Sequence, residues 1–288
     1  MKSINLQKLT KEWVAERLPE RPEDANKGTF GKVLSFAGSE NYPGAAYLAC
    51  AACLRVGAGL VTLATESSVK IIVSRKLPEV TFLSSDEALG KLNEYDAILV
   101  GPGLGQSNQT ANLVERILNS HLPSMIIDGD GLNILSKKGE WWKRLKGEAI
   151  LTPHPGEMAR LTGFTVSEIQ ADRVNVVQYH AKKWNQTVIL KGANTVVASP
   201  AGKVLFSPFA NPVLSTAGTG DVLAGIVTGM LVQGLKPVEA AAVGVYIHGL
   251  AGEMISKNGD AGMLASDLLP MLPKVIKNLL DITKHRIG

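Results

Sequence analysis

Two cysteines in 288 residues, Cys50 and Cys53, are too few for a disulfide framework. No second cysteine pair stands by to complete a zinc site, and the C-x-x-C sits in an alanine-rich helical stretch, so packing as small hydrophobes is the expected role. Long apolar runs are also missing. The longest, 222–235, is broken by Thr228 and Gln233 and falls short of the roughly 20 residues a membrane span needs. The opening residues show no apolar secretory core and no small-residue cleavage site, so a soluble, cytoplasmic protein without a membrane partner is expected. There is no basic block: 30 Lys and Arg against 26 Asp and Glu give a scattered net charge of +4. That argues against a nucleic-acid surface and leaves room for a basic pocket. Neither common nucleotide fingerprint occurs; G-x-x-x-x-G-K-[ST] is missing, and Gly-Pro-Gly-Leu-Gly at 101–105 does not fit G-x-G-x-x-G. Without a disordered linker or an internal repeat, residues 1–288 read as one domain, with 1–27 as an N-terminal helix and lead-in loop.

What is abundant is glycine, 29 residues, concentrated where short apolar runs end. Strands are expected near 32–37, 60–64, 80–83, 97–100, 125–127, 149–151 and 187–190, alternating with helices near 45–56, 69–75 and 110–119. A capping box of Ser167 and Gln170 is expected to open a helix running to Trp184. Such alternation predicts an α/β fold: βαβ units in a mainly parallel sheet covered by helices on both faces. A hairpin is expected at 195–206 around Pro200-Ala201-Gly202, and helices over 220–233, 238–257 and 265–282. Ligands of such sheets bind beyond the carboxyl ends of the strands, where the Gly, Pro and Asp loops fall.

The stretch 211–225, Asn-Pro-Val-Leu-Ser-Thr-Ala-Gly-Thr-Gly-Asp-Val-Leu-Ala-Gly, passes from loop to helix at Gly218-Thr219-Gly220-Asp221. Free N–H groups and the positive end of a helix dipole can hold a phosphate there without a cationic side chain. A carboxylate beside an anion site is repulsive unless it handles a proton, so Asp221 reads as a general base, or else as a plain helix cap. His154, in Pro-His-Pro-Gly-Glu, reads as a ligand-facing imidazole or a solvated loop residue. Asp128 and Asp130 could organise Mg²⁺ through water or simply form an Asx-type turn. Lys191 at a strand end could meet a phosphate or be only solvated. Trp141-Trp142 suits packing or a subunit contact.

Six segments in order carry a resemblance: Gly-Thr-Phe-Gly-Lys-Val-Leu at 28–34, Gly-Pro-Gly-Leu-Gly at 101–105, Asp-Gly-Asp-Gly-Leu-Asn at 128–133, Thr-Pro-His-Pro-Gly-Glu at 152–157, Leu-Lys-Gly-Ala-Asn-Thr at 190–195, and Ser-Thr-Ala-Gly-Thr-Gly-Asp-Val-Leu-Ala-Gly at 215–225. Together they resemble the ADP-dependent NAD(P)H-hydrate dehydratases, of ribokinase-like fold, over nearly the whole chain from about residue 10. The resemblance implies repair of the S epimer of hydrated NADH and NADPH: phosphorylation of the ring hydroxyl, then elimination of phosphate, giving AMP and phosphate. It implies Mg²⁺ without a direct protein ligand, and ADP as co-substrate with ATP as the alternative. Asp221 would take the hydroxyl proton, with Gly218, Thr219 and Gly220 as the anion hole. Lys191, Gly192, Ala193, Asn194, Thr195 and Gly220 would contact the adenine nucleotide. Ala45, Gly103, Gly105, Asp128, Asn133 and His154, with Asp221, would line the hydrated-dinucleotide side. A stand-alone dehydratase, paired with a separate epimerase and forming a homo-oligomer, a tetramer by resemblance, completes the expectation. A small-molecule kinase of the same fold, acting on a vitamin precursor or sugar alcohol, shares the first chemical step and is the alternative.

Overall fold

The computed structural model describes residues 6–120, 123–257, 259 and 261–287. Its strands are β1 (Leu6–Lys8), β2 (Lys32–Phe36), β3 (Leu60–Ala64), β4 (Thr81–Leu83), β5 (Ala97–Val100), β6 (Ser124–Ile127), β7 (Ala149–Leu151), β8 (Thr187–Leu190), β9 (Val196–Ala198) and β10 (Val204–Phe206). They form one sheet in the order β1-β10-β9-β8-β7-β6-β5-β2-β3-β4. Every neighbouring pair is parallel except those made by β9, which runs against both β8 and β10. The mainly parallel sheet expected from the alternation is present, as is the β9–β10 hairpin. The strand order reverses direction between β2 and β5, and crevices at such switch points collect ligands in open α/β sheets.

The helices are α1 (Lys11–Ala15), α2 (Pro43–Arg55), α3 (Ser67–Lys76), α4 (Ser85–Leu89), α5 (Asn108–Leu118), α6 (Gly129–Ser136), α7 (Pro155–Thr162), α8 (Val166–Ala171), α9 (Arg173–Trp184), α10 (Thr219–Val232), α11 (Pro237–Ser256) and α12 (Leu272–Ile287). Two-residue periodicity divides the strands between two cores. Val33, Val61, Leu63, Ala97, Leu99, Ile126, Ile150 and Ile189 face α1, α2, α3, α10, α11 and α12. Leu34, Phe36, Ile98, Val100, Met125, Ile127, Leu151 and Val188 face α4 to α9. Strands covered on both sides must be apolar at successive positions, which is why they read as unbroken runs.

Local chemistry explains where the elements differ from expectation. The helix expected to start at Ser167 is two helices: Thr165 and Glu168 form the capping box of α8, and Asp172 breaks the run before its side chain caps Asn175 at the start of α9. Asp-Gly-Asp-Gly-Leu-Asn is not a loop but the start of α6, held by buried Leu132, Ile134 and Leu135. The segment expected as one helix over 265–282 begins as a 3₁₀ stretch, Ala265–Met271, containing Pro270, which has no N–H to donate. The lead-in carries β1, three residues whose place is given by parallel pairing with β10. Helix α11 is long and apolar enough to match a membrane span, but about 67% of that window is buried within the fold, where it serves as a core helix.

The two cysteine thiols are buried in α2, Cys53 Sγ donating to the Gly225 carbonyl at 3.1 Å. Burial pushes the Cys50 thiol up to about 12, which makes it inert packing, as expected. Trp141, Trp142 and Trp184 cluster with ring centroids 5.2–6.5 Å apart, again a packing role.

Helices α2 and α10 meet through small residues. A methyl at Gly225 would lie 2.2 Å from the Ala49 carbonyl oxygen and 2.8 Å from Ala52 Cβ. Glycine to alanine in a helix interior ordinarily gains about 1 kcal/mol. Here the backbone contact forces the helices apart, and overpacking costs about 1–3 kcal/mol, so the steric effect wins. Gly225→Ala is therefore expected to lower the urea midpoint; a raised midpoint would show that the α2–α10 contact has slack.

Candidate active site

The carboxyl ends of the strands bring the singled-out loops to one edge. Chain leaving β5 supplies Gly103 and Gly105, β6 supplies Asp128, β7 supplies His154, and β8 supplies Lys191. Because β9 is antiparallel, residues 191–195 are the turn of a β8–β9 hairpin and stay on this edge. Chain beyond β10 returns through 207–218 to deliver the amino end of α10.

Gly218 caps α10 at φ +91°, a conformation that favours glycine, and a methyl there would lie 2.7 Å from Leu48 Cδ1 and 3.1 Å from Ala265 Cβ. Among the described residues the N–H groups of Gly220 and Asp221 have no hydrogen-bond partner, as the first turn of a helix leaves them. Thr219 is different: its hydroxyl is 2.8 Å from the Leu214 carbonyl and 2.9 Å from that of Thr216, to which its N–H also points at 3.3 Å. Thr219 shapes the turn, so the donors left for an anion are those of its neighbours.

Two cavities meet at this turn. The larger, about 900 Å³, is lined among others by His154, Lys191, Thr195, Phe209, Gly220 and His248. The smaller, about 400 Å³, has walls that include Tyr42, Ala45, Gly105, Asn133, Glu157 and Asp221. Of the residues expected at the nucleotide, Lys191, Gly192, Ala193, Thr195 and Gly220 line the larger cavity. Asn194 does not: at φ +51° its N–H donates to the Phe209 carbonyl and its amide to that of Ser207, which shapes the hairpin turn. Of those expected at the dinucleotide, Ala45, Gly103, Gly105, Asn133 and Asp221 line the smaller cavity. His154 stands on the wall of the larger one instead.

The electrostatics are those of several carboxylates around one buried ammonium. Lys191 Nζ lies 2.7 Å from Asp128 Oδ1 and 3.7 Å from Glu157 Oε2. Burial alone would lower the lysine, but Asp128 and Glu157, with Asp221, hold it above its usual value. Asp128, 2% exposed, also accepts from the Thr152 hydroxyl, so it makes no Asx turn; its partners are far along the chain. Asp130 accepts from the Gly105 N–H at 2.8 Å and the Gln106 amide at 3.0 Å and pins the Gly-Pro-Gly-Leu-Gly loop. Burial, reinforced by Asp128, pushes the Asp221 carboxyl up to about 7, against the pull of Lys191. Burial likewise raises Glu157. His154 is lowered by burial and by Lys191 and Arg160; its Nδ1 accepts from the N–H groups of Gly156 and Glu157, so the neutral ring caps α7.

Among the described residues no three His, Cys, Asp or Glu side chains are grouped to hold a metal by themselves. The donor set suits Mg²⁺ all the same, since that ion keeps its waters and binds through one or two carboxylates plus phosphates. The negative charge of Asp128 and Glu157 beside Asp221, which adds to burial in raising the Asp221 carboxyl, is what such an ion would balance.

The model of the NAD(P)H-hydrate dehydratase family matches residues 33–274. The chain belongs to that family. It is 37% identical over 279 residues to the ADP-dependent (S)-NAD(P)H-hydrate dehydratase of Bacillus subtilis, covering 95% of this chain and 99% of that one. A crystal structure of the Bacillus subtilis ADP/ATP-dependent NAD(P)H-hydrate dehydratase, co-crystallised with ATP and Mg²⁺, superposes with a TM-score of 0.87 at 35% identity, over 96% of this chain and all of that one. A ribokinase-like superfamily protein of Enterococcus faecalis aligns at 0.85 with 29% identity, over 97% and 98% of the two chains, so the fold is ribokinase-like. The bifunctional NAD(P)H-hydrate repair enzyme of Moorella thermoacetica is 41% identical over 290 residues, 96% of this chain. The chain spans about half of that relative, 55% of its length.

Sequence reasoning did not single out Glu157, gave Asp130 only the reading of organising Mg²⁺ with Asp128 or forming an Asx-type turn, and did not single out Phe209 or His248. The first two stand inside quoted motifs, and their partners, Lys191 and Gly105, are revealed only by the fold. Phe209 and His248 carry no local signal.

Proposed function

We propose that this member of the dehydratase family converts the S epimer of hydrated NADH and NADPH back to NADH and NADPH at the expense of ADP, with ATP as the alternative donor. One observation carries the reading: the Gly218–Asp221 turn is the shared wall of two cavities, with Gly220 in the larger and Asp221 in the smaller. A nucleotide in the larger cavity would present its terminal phosphoryl group to the N–H groups of the turn, and an alcohol in the smaller would present its oxygen to Asp221.

Asp221 takes the hydroxyl proton as the substrate oxygen bonds to the β-phosphorus and the bridging oxygen departs with AMP. The carboxyl near 7 matches a base working at neutral pH. Gly218 and Gly220 contribute fixed backbone dipoles, and Lys191 contributes charge beside Gly220, where a methyl would come within 3.4 Å of its Nζ. Mg²⁺, held by phosphate oxygens with Asp128 and Glu157 reaching its waters, would neutralise charge on the transferring group. In the second stage the ring nitrogen's electron pair expels phosphate, a far better leaving group than hydroxide, and loss of the neighbouring ring proton restores the double bond. Asn133 and Ala45 bound the space for the ring. A cytoplasmic location, a separate epimerase and a homo-oligomeric state belong to the same reading through the resemblance.

Purified chain given the hydrated S epimer of NADH with ADP and Mg²⁺ is expected to restore nicotinamide absorbance and release one phosphate per NADH. Phosphorylation of some other alcohol without any recovery would favour the small-molecule kinase instead.

A further inference from the structure

His248, on α11, is 9% exposed and lies on the wall of the larger cavity. Its Nε2 is 3.0 Å from the carbonyl oxygen of Thr219. A carbonyl only accepts, so Nε2 carries the proton and donates, and Nδ1 keeps its lone pair. Beyond α10's own ladder, the bonds of Thr219 from its hydroxyl and its N–H run to Leu214 and Thr216, which belong to the segment leading into the turn. They shape the turn from the approaching chain, at the start of the buried helix α10. The bond from His248 ties it to α11, whose residues Ala240 to Gly249 are all buried against α10 and the sheet. Burial holds the His248 ring down near 4, with Lys191 acting in the same direction, so the bond is a neutral, directional one at working pH.

We propose that His248 is a positioning residue, whose Nε2–H bond to the Thr219 carbonyl sets the aim of the Gly218–Asp221 turn at the transferring phosphoryl group. This rests on the reading of that turn as the phosphoryl site. The free N–H groups of Gly220 and Asp221 and the Asp221 carboxylate all belong to the one first turn of α10, so a rotation of the turn misaligns donors and base together. Displacements of about 1 Å at such sites cost on the order of 10²-fold in rate.

The amide nitrogen of glutamine reaches about as far as imidazole Nε2, whereas that of asparagine reaches only as far as Nδ1. His248→Asn is expected to lower kcat on the order of 10²-fold with KM for ADP within about three-fold, and His248→Gln to recover to within about five-fold of the parent. Thermal midpoints of both variants are measured alongside. Equal activity of the two, whether both high or both lost with a lowered midpoint, overturns the proposal, because a purely structural residue does not distinguish the two amides. Asparagine outperforming glutamine also overturns it, by placing the function on Nδ1. A raised KM with unchanged kcat does so as well, by making His248 a nucleotide contact. Asp221→Asn is assayed in parallel: if it turns over normally, the reading of the turn has failed; if it is inactive while His248→Asn is active, only the role of His248 has.

Discussion

Asp221→Asn is expected to lose about 10² to 10⁴ of kcat, the range that general-base catalysis supplies, while nucleotide affinity stays within a few-fold. The same variant is expected to be more stable than its parent above neutral pH. In the folded chain this carboxyl is pushed from 3.8 up to about 7, chiefly by burial and then by Asp128. A raised carboxyl means that the folded state binds the extra proton between those values, so stability falls as pH rises through the window from 3.8 to 7, and the full cost is present above it. Three units would be worth roughly 4 kcal/mol at 1.36 kcal/mol each; incomplete burial brings that to on the order of 2 kcal/mol. The gain in Tm should be largest at pH 8 and vanish below pH 4. In the parent, kcat/KM should climb with unit slope on the acid side and level off above about 7. Unchanged turnover would make Asp221 a helix-terminal charge, and a pH-independent Tm gain would sink the burial explanation.

Lys191→Met should be the most damaging single change in the site. Its ammonium, with a side chain 16% exposed, faces Asp128 and Glu157 side chains that are 4% and 6% exposed. Methionine matches the stem and removes the charge, leaving buried carboxylates without their partner, and breaking a buried pair from one side costs about 3–5 kcal/mol. Without the cation the Glu157 carboxyl, raised by burial and held back by Lys191, keeps its proton more tightly, so the variant gains stability relative to its parent as pH falls and that carboxyl is neutralised. Urea unfolding is expected to show a large deficit at pH 8 that shrinks by pH 5. A deficit that is the same at both would assign the role of Lys191 to packing. Turnover should be lost as well, since Lys191 stands beside Gly220 in the larger cavity.

How much of this was legible beforehand follows from which interactions are local. Ala97–Val100 and Thr187–Leu190 are apolar on both faces because both faces are covered, so the runs announced themselves. The Gly218–Asp221 turn was visible because a glycine pair before an apolar helix is a local signal. Helix α6 was hidden: Gly129, Asp130 and Gly131 are poor helix formers, and tertiary burial of Leu132, Ile134 and Leu135 overrides that propensity. The pairing of Asp128 with Lys191, the hold of Asp130 on Gly105 and the bond of His248 to Thr219 join residues 63, 25 and 29 positions apart, which no spacing rule reaches. The division of labour between cavities was only partly readable, and His154 shows why: its loop leaves β7, in the middle of the edge.

The edge strand β1 has a consequence for the order of assembly. Leu6 pairs with Val204 and Lys8 with Phe206, and α1 just behind them packs against α12. Leu6 and Val204 stand 198 positions apart (204 less 6), so β1 has no strand to pair with until the chain has been made through β10. Sheet from β2 onward closes over shorter crossings, whereas this seam closes over about two thirds of the 288 residues, where the entropy of closure is greatest. This seam is thus the last pairing of the sheet to close, and until then β10 presents an open edge along which a second nascent chain could lie.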